Sequence, residues 1–395
     1  MHYIKIFIME EKYKLPNGWE EKRLDDLFKE FTEKNHADKN ILASTQDRGV
    51  IPSDLLDRHI IRKKESLSNY KLVKKGCFVI SLRSFQGGFE YSNYEGIISP
   101  AYTILEPKMK LVDDFYKYYF KSYYFINKSL PKYAEGIRDG KQIKYKACKE
   151  ILVPYPPLDE QKRIASALSK IDAYLENTIK LIEEKERFKR GIAKKLLTCK
   201  EGENIPEARF KGFEDEWEET QILEFVNNNI IKIEKGKSIT KSKIEEGDIP
   251  VIAGGKTPPY YHNKYNYNFP CITISASGSA GYVWFHDYKI WASDCYVIYT
   301  DNKRYNIKFL YHYLKNIQDL IYYLQVGGVQ KHVYAKDLIK LNIPNITIEE
   351  QEKIGRYLSL LDEEIDNLKK QKELIKEMKR GAMQKLLSGE VRLLE

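Results

Sequence analysis

Pro154–Thr198 reads PYPPLDEQKRIASALSKIDAYLENTIKLIEEKERFKRGIAKKLLT, and 190 positions later Pro344–Ser388 reads PNITIEEQEKIGRYLSLLDEEIDNLKKQKELIKEMKRGAMQKLLS. The two align without a gap. Glu160/Glu350, Gln161/Gln351, Ile164/Ile354, Asp172/Asp362 and the run Lys189-Arg190-Gly191 against Lys379-Arg380-Gly381 are identical. Solenoid units repeat every 20–50 residues or so, and this period is far longer. It marks a duplicated domain that ends in a helix. Apolar residues fall at Ile164, Leu168, Ile171, Leu175, Ile179 and Ile182, and again at Ile354, Leu358, Leu361, Ile365, Leu368 and Ile375. That spacing, with charge on the other faces, predicts a coiled-coil seam. Pro157 precedes the first helix, a capping box Thr347-x-x-Glu350 opens the second, and Gly389 closes it. Roughly 40 residues at about 1.5 Å each give a helix on the order of 60 Å long, more than one small domain spans.

The duplication continues upstream. Cys77–Leu105 aligns with Cys271–Tyr299 at an offset of 194, and Trp19-Glu20-Glu21 aligns with Trp217-Glu218-Glu219. Phe78–Leu82, Cys271–Ser275, Ala101–Leu105 and Tyr296–Thr300 are short apolar, β-branched runs and are predicted strands. Phe115-x3-Tyr119-Phe120-Lys121 and Phe309-x3-Tyr313-Leu314-Lys315 have helical spacing, with the aromatic positions facing a core.

A length of 395 residues with 42% hydrophobic content supports two domains, each with its own core. The five cysteines form no C-x-x-C pair and no zinc spacing, which suits a reducing, cytoplasmic setting. Met1–Ile8 is apolar but short and lacks a cleavage-site pattern, and no run approaches about 18 apolar residues, so neither export nor membrane insertion is expected. The net charge of +9 permits phosphate binding without proving it. Of the 30 tyrosines, only Tyr155, Tyr174 and Tyr357 lie in the helix repeats. The rest are interleaved with Lys, Arg, Asn and Ser, which fits either a nucleic-acid surface or a tyrosine-rich core.

Several strings carry residue types with possible chemistry. Thr257-Pro258-Pro259-Tyr260 resembles the Asn/Asp-Pro-Pro-Tyr motif of adenine N6-methyltransferases, but Thr257 replaces the acceptor side chain and no Gly-rich cofactor turn follows a strand. Glu160-Gln161-Lys162 has nuclease-like E-x-K spacing, yet it opens a helix where a nuclease needs a strand around Mg²⁺. The turn Ser275-Ala276-Ser277-Gly278-Ser279-Ala280-Gly281 lacks the Lys-Ser/Thr of a phosphate-cradling loop. It reads as a hairpin turn or as a small-residue loop against a nucleic-acid backbone. Its counterpart carries Arg83, Ser84 and Gln86, and Arg and Gln are types that read base edges. The last loops before the helices hold Arg138 and Lys141, then Gln330 and Lys331, which are either polar turns or phosphate and base contacts. No histidine pair has catalytic or metal-ligand spacing.

The ordered pair of a Trp-Glu-Glu entry, a variable domain, Pro154-Tyr155-Pro156-Pro157-Leu158-Asp159-Glu160-Gln161 (Pro344 to Gln351 in the second copy) and a helix ending Lys-Arg-Gly resembles the specificity subunit of type I restriction–modification enzymes. Ala208-Arg209-Phe210-Lys211-Gly212-Phe213 with Trp217 looks like that family's lead-in to a second recognition domain, and Asp47-Arg48-Gly49-Val50-Ile51-Pro52-Ser53 looks like part of a first. The resemblance implies an α/β (α+β) architecture. Two similar target recognition domains are separated by two long antiparallel coiled-coil helices, with pseudo-two-fold symmetry from the duplication. The expected boundaries are 1–153 for the first recognition domain, 154–200 for the first spacer helix, 201–343 for the linker and second recognition domain, and 344–395 for the second helix and tail.

The same resemblance implies a non-catalytic subunit that binds double-stranded DNA at a bipartite site. Two modification subunits would hold S-adenosylmethionine, and two restriction subunits would use ATP and Mg²⁺, while this chain would bind no cofactor or metal. Arg48, Arg83, Ser84, Gln86, Arg138 and Lys141 are the expected DNA contacts of the first domain. Lys256, Tyr260, Ser277, Ser279, Gln330 and Lys331 are those of the second. Glu160, Gln161, Arg190, Glu350, Gln351 and Arg380 are the expected docking positions for partner subunits. A stand-alone methyltransferase or a coiled-coil adaptor without DNA are the alternatives.

Overall fold

The computed structural model describes residues 15–56, 64–134 and 143–393. The chain divides into two compact units. The first takes the residues up to Thr178 and those from Gln371 on, and the second is Ile179–Lys370. Each unit therefore combines one globular segment, the start of its own long helix and the end of the other long helix.

At the centre of the first unit is a four-stranded antiparallel sheet in the order Phe28–Phe31, Thr103–Pro107, Phe78–Ile80, Glu90–Tyr91. The second unit repeats it with Ile231–Lys235, Cys295–Thr300, Cys271–Ser275 and Val283–His286. The strand expected at Phe78–Leu82 stops at Ile80, because the Ser81 N–H turns aside to donate to Ser84 Oγ at 2.8 Å. The next strand begins at Thr103, two residues later than its apolar run. In each unit a two-stranded ribbon joins the entry segment to the lead-in of the long helix: Glu20–Arg23 with Leu152–Tyr155, and Glu218–Gln221 with Asn342–Asn345.

Phe115, Tyr119, Phe309 and Tyr313 are buried, as their spacing implied. Trp19 meets Phe115 edge-on at 6.3 Å, and Trp217 meets Phe309 in the same way at 6.4 Å. Outside this shared frame the halves differ. The first unit has two separate two-stranded sheets, whereas the second has a three-stranded sheet with a parallel pair, Val251 opposite Trp291.

The long helices run Leu158–Leu197 and Ile348–Ser388. Ile164, Leu168, Ile354, Leu358 and Ile365 are buried, but Ile179 is 37% exposed. The 4-3-4 spacing that continues from Ile171 and Leu175 falls on buried Thr178 instead, whose Oγ1 donates to the Tyr174 carbonyl at 2.9 Å. The helices pack antiparallel inside each unit. Asp172 pairs with Lys379 in the first; Lys189 pairs with Asp362, and Lys185 with Glu364 at 2.7 Å, in the second. Leu386 and Leu387 enter the core of the first unit, and Leu196 and Leu197 enter that of the second. Each buried leucine contributes about 1.5–3 kcal/mol, so each unit depends on the far end of the other copy's helix.

The capping box expected at Thr347 does not form. Both Glu350 oxygens accept from Arg209, Nε at 2.8 Å and Nη2 at 2.8 Å, and a carboxylate gains more from that bidentate pair than from a helix N–H. Gly389 does close the second helix, with φ +73°. A Cβ there would lie 2.2 Å from Pro16 Cγ.

Candidate nucleic-acid interface

In the second unit three loops meet at the end of the central sheet. The turn after strand Cys271–Ser275 folds back so that the Ser279 N–H donates to the Gly254 carbonyl at 2.6 Å. Gly278 takes φ +64° beneath that carbonyl, 2.8 Å from where a Cβ would stand, a position that requires glycine. The loop before the long helix joins them through a bridge between Ser277 and His332, and the Val333 N–H donates to Ala276 O at 3.0 Å. Lys256, Ser277, Ser279, Gln330 and Lys331 are thereby gathered on one set of loops, with Lys256, Gln330 and Lys331 exposed. Ser277 Oγ donates to Asp294. Burial alone would raise the Asp294 carboxyl, but hydrogen bonds from Ser277 and Lys235 hold it below its usual range. Tyr260 stands on strand Tyr260–His262, with Lys241 Nζ 5.8 Å from its ring centre.

The first unit builds its loops differently. Lys121 Nζ donates to Gln46 O at 3.2 Å and Gly87 O at 2.8 Å, tying the Arg48 turn to the helical turn Ser84–Gly87. Its third partner is the buried Glu90 carboxylate. Burial pushes the Glu90 carboxyl up, against the pull of Lys121. Arg83 and Gln86 are exposed, and Arg48 is half-exposed with Nη1 donating to Leu55 O at 3.3 Å. Ser84 is a correction to the expected contact set: it is buried, and its Oγ serves the Ser81 N–H. It shapes the turn that carries Arg83. Gln86 also borders a cavity of about 960 Å³ shared with Tyr123, Lys379 and Arg380, so one expected DNA contact and one expected docking position line the same space. Arg138 and Lys141 lie outside the described residues.

Comparison with known proteins decides between the readings. Residues 16–184 and 214–377 match the family model described as type I restriction modification DNA specificity domain. The chain belongs to this type I DNA-specificity family. A putative type I restriction enzyme MjaX specificity subunit of Methanocaldococcus jannaschii is 27% identical, covering 98% of each chain. The MjaVIII specificity subunit of the same organism is 24% identical over 100% of this chain and 99% of its own. Among solved structures, the type I S subunit of M. genitalium shares the fold at 19% identity, with a TM-score of 0.62 over 94% of this chain and 97% of that one.

In this specificity-family chain the repeated Glu-Gln pair is structural. Glu160 accepts from Arg392 Nε at 2.6 Å, Arg392 Nη2 at 2.7 Å and Trp19 Nε1 at 2.9 Å. Gln161 Oε1 accepts from the Val112 N–H at 2.9 Å, and Gln351 Oε1 accepts from the Asn306 N–H at 2.8 Å. Val112 and Asn306 each cap the aromatic helix of their domain. Glu160, Gln161, Glu350 and Gln351 are all buried, so the expectation that they face a partner is corrected: their polar atoms are used inside the chain. Arg190 and Arg380 are exposed. Phe188 stands two positions before Arg190 and Met378 two before Arg380, and both are 51% exposed.

Arg392, Lys121, Lys315 and Tyr282 are further polar residues that no motif in the sequence marks as functional. Only the helical motif ending in Lys121 and Lys315 carried a signal for any of them. The methyltransferase-like Thr257–Tyr260 string is part loop and part sheet edge, and Glu160-Gln161-Lys162 lies on a helix. Among the described residues, no group of three or more His, Cys, Asp or Glu is placed to hold a metal ion, and no helix is long and apolar enough to cross a membrane.

Proposed function

We propose that this chain is the sequence-recognition subunit of a type I restriction–modification enzyme and acts in the cytoplasm. Each globular segment reads one half of a split, asymmetric DNA site. The long helices carry the partner subunits: two modification subunits that hold S-adenosylmethionine and methylate adenine, and two restriction subunits that use ATP and Mg²⁺. The chain itself performs no chemistry. A stand-alone methyltransferase or a DNA-free adaptor fits less well. The first needs a cofactor turn that the sequence lacks, and the second gives no reason for two divergent loop surfaces.

One observation carries the reading. The two units share a four-stranded sheet, an entry ribbon and a Glu-Gln-anchored helix, yet differ in the sheets and loops at the recognition end. A duplicated frame holding two different polar surfaces is what two different half-sites require. Arg48, Arg83 and Gln86 on one side, and Lys256, Tyr260, Ser277, Ser279, Gln330 and Lys331 on the other, are the proposed contacts. The test is to exchange residues 20–150 for another recognition domain and map methylated adenines. One half-site should change while the other stays. Loss of both in a folded hybrid would refute separable readers.

A further inference from the structure

The aromatic helices of the two units end in equivalent lysines with opposite electrostatic settings. In the first unit Lys121 is neutralised by Glu90, which is 2% exposed. At the alignment offset of 194, the residue equivalent to Glu90 is Trp284, so Lys315 has lost that carboxylate. Among the described residues the partners of the Lys315 ammonium are neutral: Val283 O at 3.3 Å, Gln318 Oε1 at 3.3 Å and the Tyr282 ring, whose centre is 4.2 Å away. Both oxygen contacts are long for charge-assisted hydrogen bonds.

Lys256 stands by the same ring, 5.7 Å from its centre, and among the described residues it too has no carboxylate partner. The nearby Asp362 is occupied by Lys189. Partly buried charges are ordinarily paired, yet half-buried Lys315 shares the nearby Asp362 with Lys189, and exposed Lys256 adds a second cation beside the same tyrosine. Burial is the main cause that pushes Lys315 down to about 8, with Lys189 and Lys256 adding to the shift and Asp362 opposing it. Among the described residues the Tyr282 hydroxyl has no hydrogen-bond partner and remains a free donor.

We infer that Lys256, Lys315 and the Tyr282 hydroxyl form a binding site for a DNA backbone phosphate, and that the first recognition domain lacks its equivalent. This rests on the DNA-recognition reading above. The position favours DNA over an acidic protein segment. Lys256 belongs to the loop that Ser279 bonds at Gly254, and Tyr282 directly follows the Ser277–Gly281 turn, so the cluster underlies the proposed base-reading loops of the second unit. Lys256 would contact the phosphate, Tyr282 would donate to it, and Lys315 would supply charge from behind. A phosphate contact positions the duplex and carries no sequence information of its own.

The experiment measures binding of the full chain to a duplex containing its mapped target, across a salt series. Each phosphate neutralised contributes a slope of about −0.9 in log K against log salt, or roughly 3.5-fold in affinity between 50 and 200 mM. Lys256→Gln and Lys315→Gln should each flatten the slope by up to about one, leaving the preferred sequence of both half-sites unchanged. Lys315→Arg should keep the slope, which separates loss of charge from loss of fold. Target binding by the parent with unaltered slopes in both Gln variants overturns the phosphate site and leaves the DNA-recognition reading standing. No target binding by the parent overturns both. Unaltered slopes together with weakened binding of modification subunits assign the cluster to a protein contact, which also overturns it.

Discussion

Arg392 and Glu160 form a bidentate ion pair, at 2.6 and 2.7 Å, across 232 residues of sequence. Arg209 and Glu350 form the same pair in the other unit, at 2.8 and 2.8 Å. In both cases an arginine in the segment that follows one long helix grips the glutamate at the start of the other. Burial alone would raise the Glu160 carboxyl, but Arg392 and Trp19 hold it below its usual range. Chain segments far apart in sequence are thus locked into one unit by buried charge.

Removing one partner of a buried pair leaves the other charge stranded, which costs about 3–5 kcal/mol when both are buried and less here, because Arg392 keeps 21% of its side chain exposed. Arg392→Ala should therefore destabilise the first unit by about 2–3 kcal/mol, lowering its melting transition by several degrees. Arg209→Ala should do the same to the second unit. Calorimetry with two resolved transitions assigns the effect. A shift of the wrong transition, or none, contradicts the lock.

The repeated Glu-Gln pair shows what was legible in the sequence and what was not. Identity between the copies marked Glu160, Gln161, Glu350 and Gln351 as important, and the two long helices and the core aromatics followed from spacing. Their role did not follow, because identical residues in two copies serve a shared frame as readily as a shared partner. Arg392 was invisible for a different reason: it lies beyond any periodic pattern and its partner is remote. Ile179 was misplaced by one position, since an apolar residue beside a seam looks like part of it until burial picks out Thr178. The recognition loops were legible as differences between the copies, but only the folded chain joins Gly254, Ser277 and His332 into one surface.

Acid should open the second unit first. Burial pushes His286 and His312 down to about 3, with Lys189 and Lys308 adding to the shift of His312. A histidine with a depressed folded value stabilises the fold above its unfolded value near 6.5, and that stability is lost as pH falls toward 3. The loss is about 1.4 kcal/mol per pH unit for each, so about 2 kcal/mol each at pH 5. Among the described residues the first unit has no buried histidine. The expected outcome is a second-unit transition that falls more than the first-unit transition between pH 7.5 and 5. His286→Gln should lessen that difference, and equal falls in both units would contradict it.

The exposed ends of the long helices are the remaining surface to which the proposed function assigns a role. Phe188 and Arg190 in the second unit, and Met378 and Arg380 in the first, put an exposed apolar side chain and an exposed guanidinium at equivalent points of the repeat. Interface hot spots are enriched in arginine and large apolar anchors, and losing one costs about 2 kcal/mol or more, roughly 30-fold in affinity. Because all four side chains face solvent, their replacement should change fold stability by no more than about 0.5 kcal/mol. Phe188→Asp with Arg190→Glu should therefore leave the chain folded but able to hold a single modification subunit. Met378→Asp with Arg380→Glu should remove the other, and the combined variant should bind none. Native mass spectrometry of the assembled complex reads the stoichiometry directly. Two bound subunits in the combined variant would place docking elsewhere, with the cavity beside Gln86 and Tyr123 the next surface to test.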